Sequence, residues 1–294
     1  MKNQYTNHRR GMLIAGAGVL VISFDALLIR LADSAPADVT FWRGTLIFLS
    51  LTAFLWITGR LEEWRAYWKY GWLALLITGL YSANTGLFVF AISHTSVANT
   101  VVILSSSCFF AALFSWLMLR ETLALRTWVA ILAALAGLWF IFATDLGSGG
   151  RLGDLFALAT AASLGLSLTL MRRFARLPVI PVIALGSLGI ALAALPFAQP
   201  LGLPFDRYPW LLIMGLAQMP AALVCLLVAT RYLPAPEVSF FLLIETVLGP
   251  LWVWFVLGET VATRTFIGGG VILATIAAHA YWSLCDERAA SLAP

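Results

Sequence analysis

Ten stretches of about 20 predominantly apolar residues, the length that crosses a bilayer as a helix, follow one another along this chain. They run over 11–29, 41–59, 71–92, 97–118, 127–144, 153–171, 180–199, 209–230, 238–257 and 265–284 of its 294 residues. The longest connections between them, 60–70 and 201–208, are too short to fold alone. Soluble domains carry roughly 25% charged residues. Here 11% are charged and 61% hydrophobic, and the mean hydropathy is +0.93. Such a chain cannot clothe a water-facing surface, so the expected fold is an all-α integral membrane bundle of ten transmembrane helices. Any function must lie inside the bundle.

The few charges orient it, because cytoplasmic loops carry the excess of Lys and Arg. With the amino terminus inside, 13 of the 18 lysines and arginines fall on the cytoplasmic side, and only Arg30, Arg43, Arg151, Arg207 and Arg264 fall outside. Both termini are thus expected in the cytoplasm, in a bacterial-type inner (plasma) membrane. The first stretch contains Asp25 and ends in Arg30-Leu31-Ala32-Asp33 with no small-residue cleavage site, so it reads as a retained helix. The net charge of +4 comes without a basic run interleaved with aromatics, which speaks against a nucleic-acid partner. Cys108, Cys225 and Cys285 lack paired spacing and read as small core residues. His94 and His279 stand apart from other ligand types, so no metal site is expected.

Sliding the sequence over itself by 138 residues lays Glu121-Thr-Leu-Ala-Leu-Arg-Thr127 on Glu259-Thr-Val-Ala-Thr-Arg-Thr265, with five of seven positions identical. Apolar helices match easily by chance, but a polar loop does not. The chain therefore reads as two copies of one five-helix unit, 1–146 and 147–294. An odd number of crossings inverts the second copy relative to the first. Inverted repeats supply two related half-structures that can exchange inward and outward openings around a midplane site, the usual logic of a secondary carrier.

The stretch from Ala91 to Thr122, with Ser96-Val-Ala-Asn-Thr100 and Leu113-Phe-Ser-Trp-Leu-Met-Leu-Arg-Glu-Thr122, returns as Ala229 to Thr260. The pattern resembles the EamA repeat of the drug/metabolite transporter superfamily. In that family a helix with a central proline leads to an aromatic-rich stretch and a Gly-Glu turn, matched here by Pro250, Trp252, Trp254, Gly258 and Glu259. The first copy has Ala112 and Arg120 in place of Pro250 and Gly258, so its fourth helix is expected to be straighter. Within the superfamily the chain is similar to YddG-type exporters of aromatic and other amino acids, with Phe41-Trp42-Arg43-Gly44 opening the second helix. The resemblance implies a basket around a central cavity framed by the first, third, fourth, sixth, eighth and ninth helices. It also implies export without ATP, and the chain has no G-x-x-x-x-G-K-[ST] loop.

Polar groups at lipid depth are expensive and mark partners or pathways. Asp25 and Arg43 enter from the same outer side, either as a bracing pair or as a gate or substrate-charge contact. Glu245 lies seven residues into its apolar stretch, roughly 10 Å deep at 1.5 Å per residue. It can capture an amino group or a proton, or it can serve as a hydrogen-bonding partner beside the kink expected at Pro250. Tyr81, Asn84 and Phe88 share one helical face, part aromatic and part polar, suited to a solute with an apolar body and a polar head. Ser106, Ser107, Ser163 and Gln218 lie near the same depth. For Ser163, with Thr160 and Ser167, close packing between helices is the favoured alternative. Most tryptophans, Trp42 and Trp252 among them, read as interfacial or structural.

The leading reading is a secondary active or facilitative exporter of amino acids, aromatic and other neutral ones, and of related small metabolites, working by alternating access. A multidrug or organic-cation exporter of the same superfamily is the rival. An intramembrane enzyme would need paired catalytic groups at one depth, and the apolar stretches put Asp25 and Glu245 near opposite faces. No cofactor is called for. The expected partners are a small-molecule substrate and the lipid bilayer, and a monomer suffices.

Overall fold

A computed structural model of the chain describes residues 2–95, 97–121, 124–142, 150–258 and 263–292. Parts of the two E-T-x-A-x-R-T loops, 122–123 and 259–262, and the expected boundary at 146–147 lie outside the described residues. All described regular structure is helical. In chain order the α-helices are α1 (Lys2–Ile22), α2 (Asp25–Ala32), α3 (Pro36–Ile57), α4 (Glu62–Trp68), α5 (Trp72–His94), α6 (Val97–Ser105), α7 (Ser107–Leu119) and α8 (Leu125–Phe142). They continue with α9 (Arg151–Arg173), α10 (Val179–Ala194), α11 (Tyr208–Ile213), α12 (Met219–Ala229), α13 (Ala235–Phe241), α14 (Leu243–Leu257) and α15 (Thr263–Leu292). A helix closes every backbone hydrogen bond within itself, which hydrocarbon demands.

Among the described residues, eight helical segments are long and apolar enough to cross a membrane: His8–Ala32, Pro36–Ile57, Thr100–Leu119, Arg151–Arg173, Val179–Phe197, Tyr208–Ala229, Ala235–Leu257 and Thr263–Trp282. Two shorter apolar helices, Trp72–Phe88 and Leu125–Ile141, fall on the third and fifth stretches of the sequence. Several segments are broken. The first is interrupted at Ser23–Phe24, the fourth at Ser106 and the ninth at Leu242, while the eighth widens into a π turn over Met214–Gln218 ahead of Pro220.

The fourth segment, expected to be the straighter, is interrupted at Ser106 as the ninth is at Leu242, and Pro250 lies within α14. Hydroxyl side chains account for much of this, because Ser and Thr bonded to a carbonyl one turn back compete with the helical ladder and bend it. At the first and fourth breaks, Ser23 Oγ donates to Leu20 O at 2.7 Å and Ser106 Oγ to Ile103 O at 2.6 Å.

The main packing pairs are α3 with α10, α5 with α9, α8 with α15, and α1 with α12. Without a hydrophobic drive between helices in lipid, small residues set how closely they approach. Gly44 of α3 shows the limit: a Cβ built there would lie 2.5 Å from Ser187 O and 3.0 Å from Ala191 Cβ of α10. The two halves differ between their fourth and fifth, and ninth and tenth, segments. Trp254 and Phe266 meet edge to face, their ring centroids 5.5 Å apart, whereas Trp116 and Trp128, which stand 138 residues earlier, line an open apolar groove of about 380 Å³ with Phe109, Phe110 and Leu113.

Gly44→Ala is expected to cost about 1–3 kcal/mol by overpacking the α3–α10 contact. Gly16→Ala, where nothing lies within 4 Å of the added Cβ, should be neutral or stabilise by up to about 1 kcal/mol. Thermal unfolding of both purified variants in detergent checks the contrast.

Candidate functional site

The interruptions bring charged groups together. Asp25 opens α2 immediately after the first break, and Glu245 lies in the first turn of α14 just after the ninth-segment break. Carboxylates are stabilised at helix starts, where peptide dipoles point their positive ends. Arg43, in the second turn of α3, donates from Nη1 to Asp25 Oδ2 at 3.0 Å. The pair is not sealed: Arg43 keeps 29% of its side-chain surface and Asp25 keeps 13%. Asp25 Oδ1 is buried without a hydrogen bond.

Glu245 lies within electrostatic range of both Asp25 and Arg43. The apolar stretches had put Asp25 and Glu245 near opposite faces; the structure puts them in one neighbourhood. The reason is the true start of the ninth segment, Ala235 rather than residue 238, which moves Glu245 to about the middle of its 23 residues. Among the described residues no hydrogen bond or ion pair reaches the Glu245 carboxylate, and the residue is half-buried.

Aromatic groups wall this cluster. Phe24 stacks on Trp252 with centroids 4.6 Å apart and planes 16° from parallel, and Trp252 Nε1 donates to Ser23 Oγ at 2.9 Å. Trp252 stands seven residues after Glu245, on the same face of α14. Tyr81 of α5 is also within electrostatic range of Arg43, has its hydroxyl near Ser187, and lies hard against Gly186 of α10. Gln218 in the π turn donates from Nε2 to Val21 O at 3.0 Å and Ile22 O at 3.4 Å, the carbonyls just before the first break.

The other sequence candidates are placed mainly as braces. Asn84 Nδ2 donates to Thr160 O at 2.9 Å and Ser163 Oγ to Leu80 O at 3.2 Å, both joining α5 to α9. Ser107 and Ser239 share a hydroxyl hydrogen bond of 2.8 Å between α7 and α13. Ser106 bonds within its own helix. Phe88 is half-buried on α5, and Pro250 is exposed on α14. Sequence reasoning did not single out Ser23, Phe24 or Ser187, and it read Trp252 as structural. The i, i+7 spacing of Trp252 from Glu245 was its one available signal.

Both ends of the bundle are tied between residues of the first and second halves. At the end carrying the termini, Arg172 grips Glu121 with Nε and Nη2 at 2.7–2.9 Å and donates from Nη1 to Leu233 O at 2.6 Å and Thr230 O at 3.2 Å. His279 Nε2 meets Thr127 Oγ1 at 3.1 Å, and His8 Nε2 approaches Glu237 Oε2 at 3.6 Å. At the opposite end Arg207 pairs with Asp33 at 2.9 Å, Trp42 Nε1 donates to Pro200 O at 3.0 Å, and Thr95 Oγ1 donates to Asp154 Oδ1 at 2.7 Å. A charged cluster between two bonded ends, within apolar helices long enough to span a bilayer, marks a multi-pass membrane protein with a polar interior.

The family can then be stated. The EamA-like transporter family model matches residues 9–143 and again 151–279, and the chain belongs to that family. It is 23% identical over 224 residues to an uncharacterized transporter of Methanothermobacter thermautotrophicus, covering 72% of this chain. The chain spans 65% of the length of that relative. A crystal structure of a protein with 19% sequence identity superposes with a TM-score of 0.73 over 91% of this chain and 97% of the other, so the fold is one already seen by crystallography.

Arg172→Lys keeps the charge but loses the two-pronged grip and a carbonyl contact, and should cost about 1–3 kcal/mol. The same change at Arg60, which is exposed in its pair with Glu63, should cost less than about 1 kcal/mol. Thermal unfolding of the two variants side by side tests this.

Proposed function

We propose that the chain exports amino acids, aromatic and other neutral ones, and related small metabolites across a bacterial-type inner membrane, by alternating access around the Asp25–Arg43–Glu245 cluster. The observation that carries the reading is the half-buried Glu245 carboxylate, without a partner among the described residues, at mid-segment beside an ion pair and the stacked rings of Phe24 and Trp252. A carboxyl group at this depth without a protein partner is one that the amino group of a solute can meet. A carrier accounts for it better than an enzyme does, because the cluster holds binding groups without a nucleophile–base pair.

In this reading the carrier has ten spanning helices in two inverted units of five, 1–146 and 147–294, with both termini cytoplasmic. The two shorter apolar helices, the twice-matching family model and the pairing of helices support it. The α5–α9 contact joins the third segment to the sixth; exchanging the halves turns it into the α1–α12 contact of the first segment with the eighth. The bonds at both ends are those an alternating mechanism breaks in turn. The resemblance to YddG-type exporters favours amino acids. The aromatic wall beside Glu245 also suits an organic cation held over a ring face, which is the second reading.

Purified protein in proteoliposomes, given labelled amino acids and organic cations, provides the test. Saturable movement of neutral amino acids that Glu245→Gln lowers by about 10-fold or more is the expected result. Transport of cations alone would favour the second reading, and movement of no solute in either direction would sink the carrier reading.

A further inference from the structure

The charged cluster also has a free edge. Arg43 presents five N–H donors in a rigid plane, and only Nη1 is engaged, by Asp25. Among the described residues Nε and Nη2 of Arg43 have no partner, and the side chain is 29% exposed although it sits in an apolar helix. A guanidinium held on one side and open on another presents what a carboxylate binds best. Glu245, within electrostatic range, is an open carboxylate, which an ammonium binds best. The two unmet groups have opposite sign.

We propose that Arg43 and Glu245 divide the recognition of a zwitterion: the α-carboxylate of an amino acid docks on the free edge of Arg43 and its α-ammonium on Glu245. Asp25 is a positioning residue that holds the guanidinium from behind. The inference rests on the carrier reading above and adds which group of the solute each residue takes. Each incoming charge lands on an opposite one, so neither end of the solute is left bare where water is scarce. A simple amine would satisfy Glu245 and leave the Arg43 donors unmet. A carboxylic acid would meet Arg43 but add a third carboxylate to Asp25 and Glu245, with no ammonium to offset it. The stacked Phe24–Trp252 pair and Tyr81 lie where the apolar body of the solute can rest.

The experiment compares three labelled compounds in proteoliposomes holding the full chain: phenylalanine, phenethylamine, which lacks the carboxylate, and 3-phenylpropionate, which lacks the amine. Wild type should favour phenylalanine over either by about 10- to 100-fold in kcat/KM, the worth of one charge-assisted contact. Arg43→Gln should lower kcat/KM for phenylalanine about 10- to 100-fold and so erase the preference over phenethylamine. Because that variant strands Asp25, the double variant Asp25→Asn/Arg43→Gln is made as well and should behave alike. Asp25→Asn alone should raise KM for phenylalanine and not for phenethylamine, a split that a merely structural role would not give. Phenethylamine carried as well as phenylalanine by wild type, or equal loss of both compounds in the double variant, overturns the zwitterion assignment and leaves a carrier. If none of the three moves, the carrier reading falls and takes this one with it.

Discussion

A helix broken inside hydrocarbon frees backbone groups that water cannot reach, and each must find a partner within the protein. The structure solves this at the first break with side chains from distant segments. Gln218 takes the Val21 and Ile22 carbonyls, and Trp252 reaches the Ser23 hydroxyl. Those partners fix where α2 begins, and therefore where Asp25 points. The π turn around Gln218 belongs to the same solution, since it holds the amide at the height of the break. The charged cluster is thus positioned by hydrogen bonds to a backbone defect, and weakening Gln218 or Trp252 would be felt at Asp25 without touching it.

Charge placement follows from the same defects. Asp25 and Glu245 both occupy the first turn of a restarted helix, where the peptide dipoles favour an anion. One guanidinium faces two carboxylates, so the cluster is uneven by design of the sequence rather than by accident of packing. The repeat does not dictate this: the position 138 residues before Glu245 is Ser107, and the position 138 after Asp25 is Ser163. Both serines instead bond to protein, Ser107 to Ser239 and Ser163 to Leu80. Positions 138 residues apart thus differ in kind: serines that brace the protein stand opposite the ionisable Asp25 and Glu245.

Much of this was legible in the sequence, and what was missed has a physical cause. Apolar length locates the helical segments, because hydrocarbon thickness is a strong constraint. It also singles out Asp25, Arg43 and Glu245, since charge is rare there. It does not give depth to better than a turn: reading the ninth segment from residue 238 rather than Ala235 set Asp25 and Glu245 apart. Pro250 is the loudest local signal for a kink, yet the first and fourth segments are interrupted at serines whose hydroxyls bond one turn back, in runs of otherwise helical residues. Asn84 and Ser163, polar residues at the right depth, donate to backbone across α5 and α9. Whether such a group faces a cavity or a neighbouring carbonyl depends on rotation about the helix axis, which a few apolar residues on every side leave unspecified.

Arg172 has a further consequence. Its single guanidinium joins Glu121 in one part of the chain to Thr230 and Leu233 in another. A partial separation at this end would keep the cation away from water while removing some of its acceptors, which is worse than either extreme. Intermediate widths are therefore uphill from both sides. In the carrier reading this end would act as a toggle, resting shut or fully parted, and the geometry of one side chain would suppress solute-sized leaks through a half-parted mouth.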